Sequence, residues 1–325
     1  LAKNGLELFE IAEKNNVLLL YEAAVAGGIP IIKILKNNIF LNKIKKISGI
    51  LNGTTNYILT KMYDENLTFE KALSIAKSNG YTSDSESELD IEGLDSAHKL
   101  TILTTLCFGA VINFSTNQVK GISEIKVEDI INANKFGYNI KLISEAFIKN
   151  DEVSCITLPK LVNKKNPLAN VDGVLNAIKI ETDQLSSLFL EGEGAGGKAT
   201  ASSIISDLYE ISSNSNSNSL SLGYKVKNLK KFRKVDLLDS ESSYYIRIMT
   251  TDIAGVLAKI TGFFETHNIS IEKIVQIPEN NKNLPIPIII FSHSVRTSKL
   301  LEIIQLIENQ VFVLEKISFI PIDNN

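Results

Sequence analysis

Cysteine and histidine are scarce in this sequence, and neither sign of charge prevails. Only two cysteines occur in 325 residues, Cys107 and Cys155. They lie far apart and form no C-x-x-C pair, so metal and redox motifs have no support. Cys107 falls in an apolar, helix-like run and reads as core packing. The low count is compatible with a reducing cytoplasm, the location expected here. The three histidines, His98, His267 and His293, lack metal-ligand spacing. Lys and Arg total 34 against 37 Asp and Glu, a formal net charge of −3. So even a balance lacks the electrostatic footprint of a nucleic-acid binder. The one dense basic run, Lys225 to Lys234, reads as a solvated connector. Long clean apolar runs are missing too. The most apolar stretch, Val17 to Leu35, is broken by Glu22, Gly27, Gly28, Pro30 and Lys33, which argues against a membrane span. The basic n-region and apolar core of a signal peptide are absent. The chain opens on Leu1 rather than Met, so a fragment is expected.

What is present is 44% hydrophobic and 22% charged, as in a globular protein. The length suits roughly two domains of ordinary size. Residues 4–15 read as a helix and Val17–Tyr21 as a buried, continuous strand of a parallel sheet. A strand at Ile44–Ile50 leads through Asn52-Gly53 to a helix at Thr55–Tyr63. A further helix, Phe69–Ser78, stops at Asn79-Gly80. An acidic, Ser-rich loop, Thr82–Glu92, precedes a mostly apolar helix, Leu94–Phe108. Residues 114–190 mix strands and helices. A Gly-rich turn, Glu191–Gly197, precedes a helix at Ala199–Ile211. The polar, low-complexity stretch 212–223 cannot bury a core and reads as a linker. After it come a strand at Tyr244–Met249, a helix at Gly255–His267, strands at Ile269–Ile277 and Ile286–His293, a helix at Thr297–Asn309 and a strand at Val311–Ile320. That β-α-β-β-α-β order is ferredoxin-like.

Four motifs carry candidate chemistry. GYTSDSESELDIEGLDSAHK, residues 80–99, crowds six carboxylates into one short span. Asp95 and Lys99, four apart, share a helix face. Alone they read as an ordinary helical ion pair; beside a substrate, the lysine is a candidate general acid or base. In YEAAVAGGIPII, residues 21–32, small residues and Gly-Gly let backbone carbonyls turn toward one point, or simply make a buried turn. In GILNGTTNYIL, residues 49–59, Asn-Gly marks a turn and the following hydroxyls suit a helix cap. In EGEGAGGKATASSIISDL, residues 191–208, a Gly-rich turn entering a helix either approaches a phosphate through its N–H groups or is a plain tight turn.

Together, Ala76, Gly80, Tyr81, Asp90, Gly93, Asp95 and Lys99 resemble the signature of the homoserine dehydrogenases, and the resemblance runs along nearly the whole chain. There are two departures: Glu86 and Ser87 stand where the family has an Asp-Pro-like pair, and the loop is one residue longer. The family's substrate-binding Glu therefore falls on Ser83 or Asp84, and Asp84 is favoured because it keeps a carboxylate. TDIAGVLAKITGFFETHNISI resembles the start of an ACT domain, with Ala254 where that family usually has Pro. No glycine fingerprint of a Rossmann half precedes these motifs.

The resemblance implies an α/β chain in three parts: a remnant of a Rossmann-like nucleotide-binding domain, an α+β catalytic and dimerisation domain, and a C-terminal ferredoxin-like ACT domain. Residues 1–21 would end the nucleotide-binding domain and 22–193 would form the catalytic domain. Residues 194–211 would return to the first domain, 212–240 would link, and 241–325 would form the ACT domain. The implied reaction interconverts L-homoserine and L-aspartate 4-semialdehyde with NADP or NAD, in threonine, methionine and isoleucine biosynthesis. Lys99 would exchange the proton and Asp95 would orient it; Asp84, Asp90, Tyr81, Gly53 and Thr54 would line the substrate pocket. Gly80 and Gly196 would lie by the cofactor, and Glu22, Val25, Gly27 and Ile29 would hold a sodium ion, largely through carbonyls. A homodimer or tetramer and a threonine effector at the ACT domain are expected, with neither nucleic acid nor membrane as partner. A non-catalytic remnant that oligomerises and binds an amino acid is the alternative reading. A bifunctional aspartokinase fusion fits less well, because its ACT modules generally precede the dehydrogenase.

Overall fold

Helix caps and strand alternation divide the chain as follows. A computed structural model of the protein describes residues 1–39, 41–213, 220–277 and 285–323. In chain order α1 (Gly5–Lys14) leads to α2 (Ile31–Lys33), which continues as a π turn to Asn38. Then come β1 (Ile44–Ile50), α3 (Gly53–Glu65), α4 (Phe69–Ser78), α5 (Ser87–Ile91), α6 (Leu94–Phe108) and α7 (Val127–Lys135). The hairpin of β2 (Tyr138–Lys149) and β3 (Glu152–Asn163) is followed by β4 (Leu175–Thr182), β5 (Leu188–Glu193), α8 (Gly197–Ser213) and the short β6 (Arg233–Lys234). The last unit holds β7 (Glu241–Ser242), β8 (Tyr244–Thr250), α9 (Val256–Thr266), β9 (Ile271–Gln276), β10 (Ile286–Ser292), β11 (Val295–Arg296), α10 (Thr297–Glu308) and β12 (Ser318–Pro321).

Among the described residues the larger sheet has the order β5-β4-β1-β2-β3-β6, antiparallel except at β6. One face meets α6: Ile47, Ala146, Cys155 and Ile178 share a core with Leu100, Leu103 and Leu106. α6 buries three threonines on that side. Each hydroxyl donates to the carbonyl four residues back, Thr101 to Ala97, Thr104 to Leu100 and Thr105 to Thr101, so no donor is left dry. On the opposite face Glu145 is buried, which works against its charge; the Lys160 and Lys46 ammonium groups nevertheless hold its pKa at about 2.

The C-terminal unit has the order β12-β8-β10-β9, as a ferredoxin-like fold requires. Strand alternation splits its side chains. Tyr244, Ile246 and Ile248 pack with Ile260, Leu300 and Ile304 of the unit's own helices. Tyr245, Ile289 and Phe291 point the other way and join Ile130 and Ala133 of α7 in a second core.

Four expectations from the sequence differ from the structure. Val17–Tyr21 is not a strand: Val17 is 58% exposed and the Leu19 N–H donates to the Ser221 hydroxyl at 2.9 Å. An apolar run becomes a strand only where a neighbour supplies ladder partners, and none lies beside it among the described residues. The acidic loop contains the helical turn α5. The connector is packed, not solvated. Ser221 and Leu222 are buried, while Val226, Leu229 and Phe232, spaced by three, cover the main core between outward lysines. β6 then pairs with the β3 edge at Glu152 and Val153. Residues 214–219 of the polar stretch lie outside the described residues. The final strand is also shorter than Val311–Ile320, because Gln310–Val313 forms a turn.

Arg247, on β8 and only 2% exposed, ties the two units together. Its Nε donates to Asp129 of α7 at 2.6 Å and its Nη1 to Glu315 at 2.7 Å. Tyr245 and Ser318 donate to the same Asp129 carboxylate at 3.0 and 2.9 Å. Replacing Arg247 by Ala strands a buried carboxylate. Urea denaturation is expected to show a loss of about 3–5 kcal/mol, with most of it regained when Asp129 is changed to Leu in the same chain.

Candidate active site

The site forms where β1 runs out. Leu51 and Asn52 turn the chain from β1 into α3, and Asn52 is the N-cap: its Oδ1 accepts the Thr55 N–H at 2.9 Å. α4 stops beside this turn. The Tyr81 N–H bonds back to the Ala76 carbonyl at 3.0 Å across Gly80, whose φ of +74° suits glycine. Gly93, at φ +76°, starts α6, so Asp95 falls in its first turn and Lys99 in the next.

Four segments thereby converge. The half-buried Lys99 Nζ donates to Asp95 at 2.7 Å and to the Leu51 carbonyl at 2.9 Å. The Asn52 amide donates to Asp90 at 2.7 Å and to Asp95 at 2.9 Å. Thr82 donates to the other Asp90 oxygen at 3.1 Å, and the Thr54 hydroxyl donates to the Tyr81 carbonyl at 3.0 Å. The Tyr81 ring lies 4.7 Å from that of Tyr57. Burial pushes the Asp90 carboxyl above the usual carboxylate range; the Asn52 hydrogen bond opposes this and the Asp95 charge adds to it. Lys99, Asp95, Asp90, Thr54 and Tyr81 thus share one cluster. Gly53 serves a close approach, since a Cβ there would sit 2.6 Å from the Val174 carbonyl oxygen. Neither candidate for the family's Glu joins. Asp84 has a side chain 94% exposed and paired with Lys77 at 2.7 Å; Ser83 is exposed and donates to Glu86.

Sequence reasoning missed Asn52 and Thr82 as members of this cluster. Asn52 was legible only as a turn and cap residue. Its position at the end of a buried strand, directly before Gly53-Thr54, was the available signal.

The Gly-rich turn is bedded firmly. A Cβ on Gly194 would lie 2.0 Å from the Asn176 side chain, and one on Gly27 would lie 2.5 Å from the Gly194 carbonyl oxygen. Gly196 and Gly197, at the start of α8, have open space beside them, and so does Gly80. Backbone at a helix start, with room for close approach, fits a phosphate-bearing cofactor on that side.

The homoserine dehydrogenase family profile matches residues 30–209, and the ACT domain profile matches residues 244–312. The homoserine dehydrogenase of Neisseria gonorrhoeae is 37% identical over 85% of this chain and 64% of its own length. The crystal structure of a homoserine dehydrogenase from Thiobacillus denitrificans superposes with a TM-score of 0.90 at 33% identity, over 99% of this chain and 74% of that one. A hyperthermophilic archaeal homoserine dehydrogenase in complex with NADPH matches 66% of this chain and 62% of its own, with a TM-score of 0.55 at 30% identity. The chain belongs to the homoserine dehydrogenase family. It spans about two thirds to three quarters of the length of the first two of these relatives. Among its described residues, no helix is long and apolar enough to cross a membrane.

The residues expected to hold a sodium ion, Glu22, Val25, Gly27 and Ile29, lie in one loop of this homoserine dehydrogenase family member, with their polar groups engaged as follows. The Gly27 carbonyl accepts from the Ser203 hydroxyl at 2.6 Å, and the Ile29 carbonyl accepts from the Ile31 N–H at 2.7 Å. The Glu22 carboxylate is committed to the Ile32 and Lys33 N–H groups at 2.8 and 3.0 Å. The Gly27 and Ile29 carbonyl oxygens each keep a second lone pair; the substrate and proton chemistry of the Lys99 cluster uses no cation at this loop.

Glu22 has a different consequence. It is 2% exposed, and burial lifts its pKa to about 7 despite the two N–H donors, with Asp207 adding to the rise. A carboxyl whose pKa is higher folded than unfolded favours the fold when protonated. Its contribution is complete below about 4.5 and is lost as pH climbs through about 7. Stability is expected to fall on the order of 2–3 kcal/mol between pH 5 and 8 through this group. Denaturation of Glu22→Gln at both pH values should show that slope flattened.

Proposed function

We propose that the chain carries the substrate and proton-transfer part of an NAD(P)-dependent homoserine dehydrogenase, interconverting L-homoserine and L-aspartate 4-semialdehyde. The observation that carries the reading is the Lys99 ammonium, fixed between Asp95 and the Leu51 carbonyl and set beside the less firmly paired Asp90. In the reducing direction Lys99 gives its proton to the aldehyde oxygen; in the oxidising direction it takes the proton of the C4 hydroxyl. Asp95 orients Lys99 and offsets its charge. Asp90 accepts from the substrate ammonium, and Thr54 and Tyr81 line the pocket. Asp84 would join them only by leaving Lys77. Bound cofactor supplies or accepts the hydride. Gly80 and Gly196 would leave room for it, and the NADPH bound by the archaeal relative makes NADP(H) the first choice. Threonine at the ACT domain, a dimer or tetramer and a cytoplasmic location complete the reading.

In the assembled enzyme, Lys99→Ala should lower turnover by about 10²–10⁴-fold while NADPH affinity, read by calorimetry, stays unchanged. Asp90→Asn should act chiefly on homoserine KM. Wild-type turnover by Lys99→Ala would remove the lysine from the mechanism.

A further inference from the structure

The geometry points to Asn52 as a positioning residue: its one amide group sets Asp90 and Asp95 in place relative to Lys99. This rests on the dehydrogenase reading above. Asn52 is 6% exposed, and its hydrogen-bonding groups are all in use. One Nδ2 hydrogen goes to Asp90 of α5 and the other to Asp95 of α6, while Oδ1 accepts the Thr55 N–H. That pattern fixes the amide's orientation. Turned over, it would set Oδ1 against two carboxylates and the NH2 against an N–H donor, unfavourable at both ends.

The charges around it explain why a neutral bridge is needed. The charged groups facing the amide are Asp90 from α5 and Asp95 and Lys99 from α6. Lys99 donates to Asp95 and to a backbone carbonyl, while Asp90 is met by the neutral groups of Asn52, Thr82 and Thr54. Two carboxylates therefore stand beside one lysine that bonds only Asp95, and the Asn52 amide is the group that bonds both. A bridging cation would satisfy the pair and leave nothing for a substrate ammonium. A bridging amide holds the acids close and leaves Asp90 a charge to offer. Because Asn52 also caps α3, the anchor is rigid: the cap, β1 and the Leu51 carbonyl beneath Lys99 are one short piece of backbone.

Asn52→Ser separates the two roles, since serine is as good an N-cap but cannot reach both acids. In Asn52→Ser we expect a folded protein whose melting temperature falls by only about 2 °C, a fall in kcat of about tenfold or more with a raised homoserine KM, and an Asp90 carboxyl titration, followed by NMR, moved up by roughly one pH unit. Asn52→Asp keeps cap and shape but adds a third carboxylate, so its activity optimum should move to lower pH as the cluster takes up a proton. Wild-type kcat, KM and Asp90 titration in a folded Asn52→Ser would overturn the assignment. If the unsubstituted enzyme fails to turn over homoserine with NADPH, the functional reading falls. The Asp90 titration, which needs no turnover, then still decides whether Asn52 positions the acids.

Discussion

Burying a carboxylate requires a matched partner, and that constraint ties the distant parts of this chain together. The buried acids among the described residues are Glu22, Asp129, Glu145 and Asp323. Each is met from another segment. Glu22 takes two N–H groups at the start of α2, Asp129 takes Arg247 from the ACT domain, and Glu145 takes Lys160 and Lys46 from strands on either side. Asp323 takes Asn166, 157 residues away. An unpaired partner in any of these would cost several kcal/mol, so the pairs constrain register and docking even where their net stabilisation is small.

The active site applies the same rule and leaves it partly unmet. Asp95 has a full cation in Lys99. Asp90, half-removed from water, has amide and hydroxyl donors in place of a cation. An acid held in that state is stable enough to stay folded and still gains from an arriving ammonium. The same half-satisfaction that would be a fault in a core is what a site for a zwitterionic substrate needs.

How much of this was legible in sequence follows from distance along the chain. Asp95 and Lys99 are four apart, so helix geometry alone puts them together. Gly80 and Gly93 are legible as helix punctuation, and most helices and the four strands of the ACT domain follow from periodicity. Asn52 lies 38 and 43 residues from its aspartates, and Arg247 lies 118 from Asp129, so no local pattern reveals either contact. Val17–Tyr21 misleads because apolar content says nothing about whether a ladder partner exists. The segment after Gly223 misleads because its lysines hide three apolar residues at a spacing that covers a core. Asp84 follows from register with the family signature, but register does not determine a rotamer, and Lys77 holds it outside.

The ACT domain and the active site also meet through one loop. The Ile122 N–H donates to the Ile91 carbonyl at 2.9 Å, at the end of the helical turn that carries Asp90. There is no slack in that contact: a Cβ on Gly121 would lie 2.1 Å from the Ile91 oxygen and 2.5 Å from the Glu92 Cα. Loop and turn are therefore packed in direct backbone contact. The other side of the same loop is tied to the ACT domain by Lys316 to Glu124 and by Lys126 to Glu315, and Glu315 in turn holds Arg247. A shift of the ACT domain against α7 thus has a route of direct contacts to Asp90. That route runs through backbone packing at Gly121, which transmits displacement better than the exposed ion pairs around it, since packed atoms resist compression and solvated side chains rearrange.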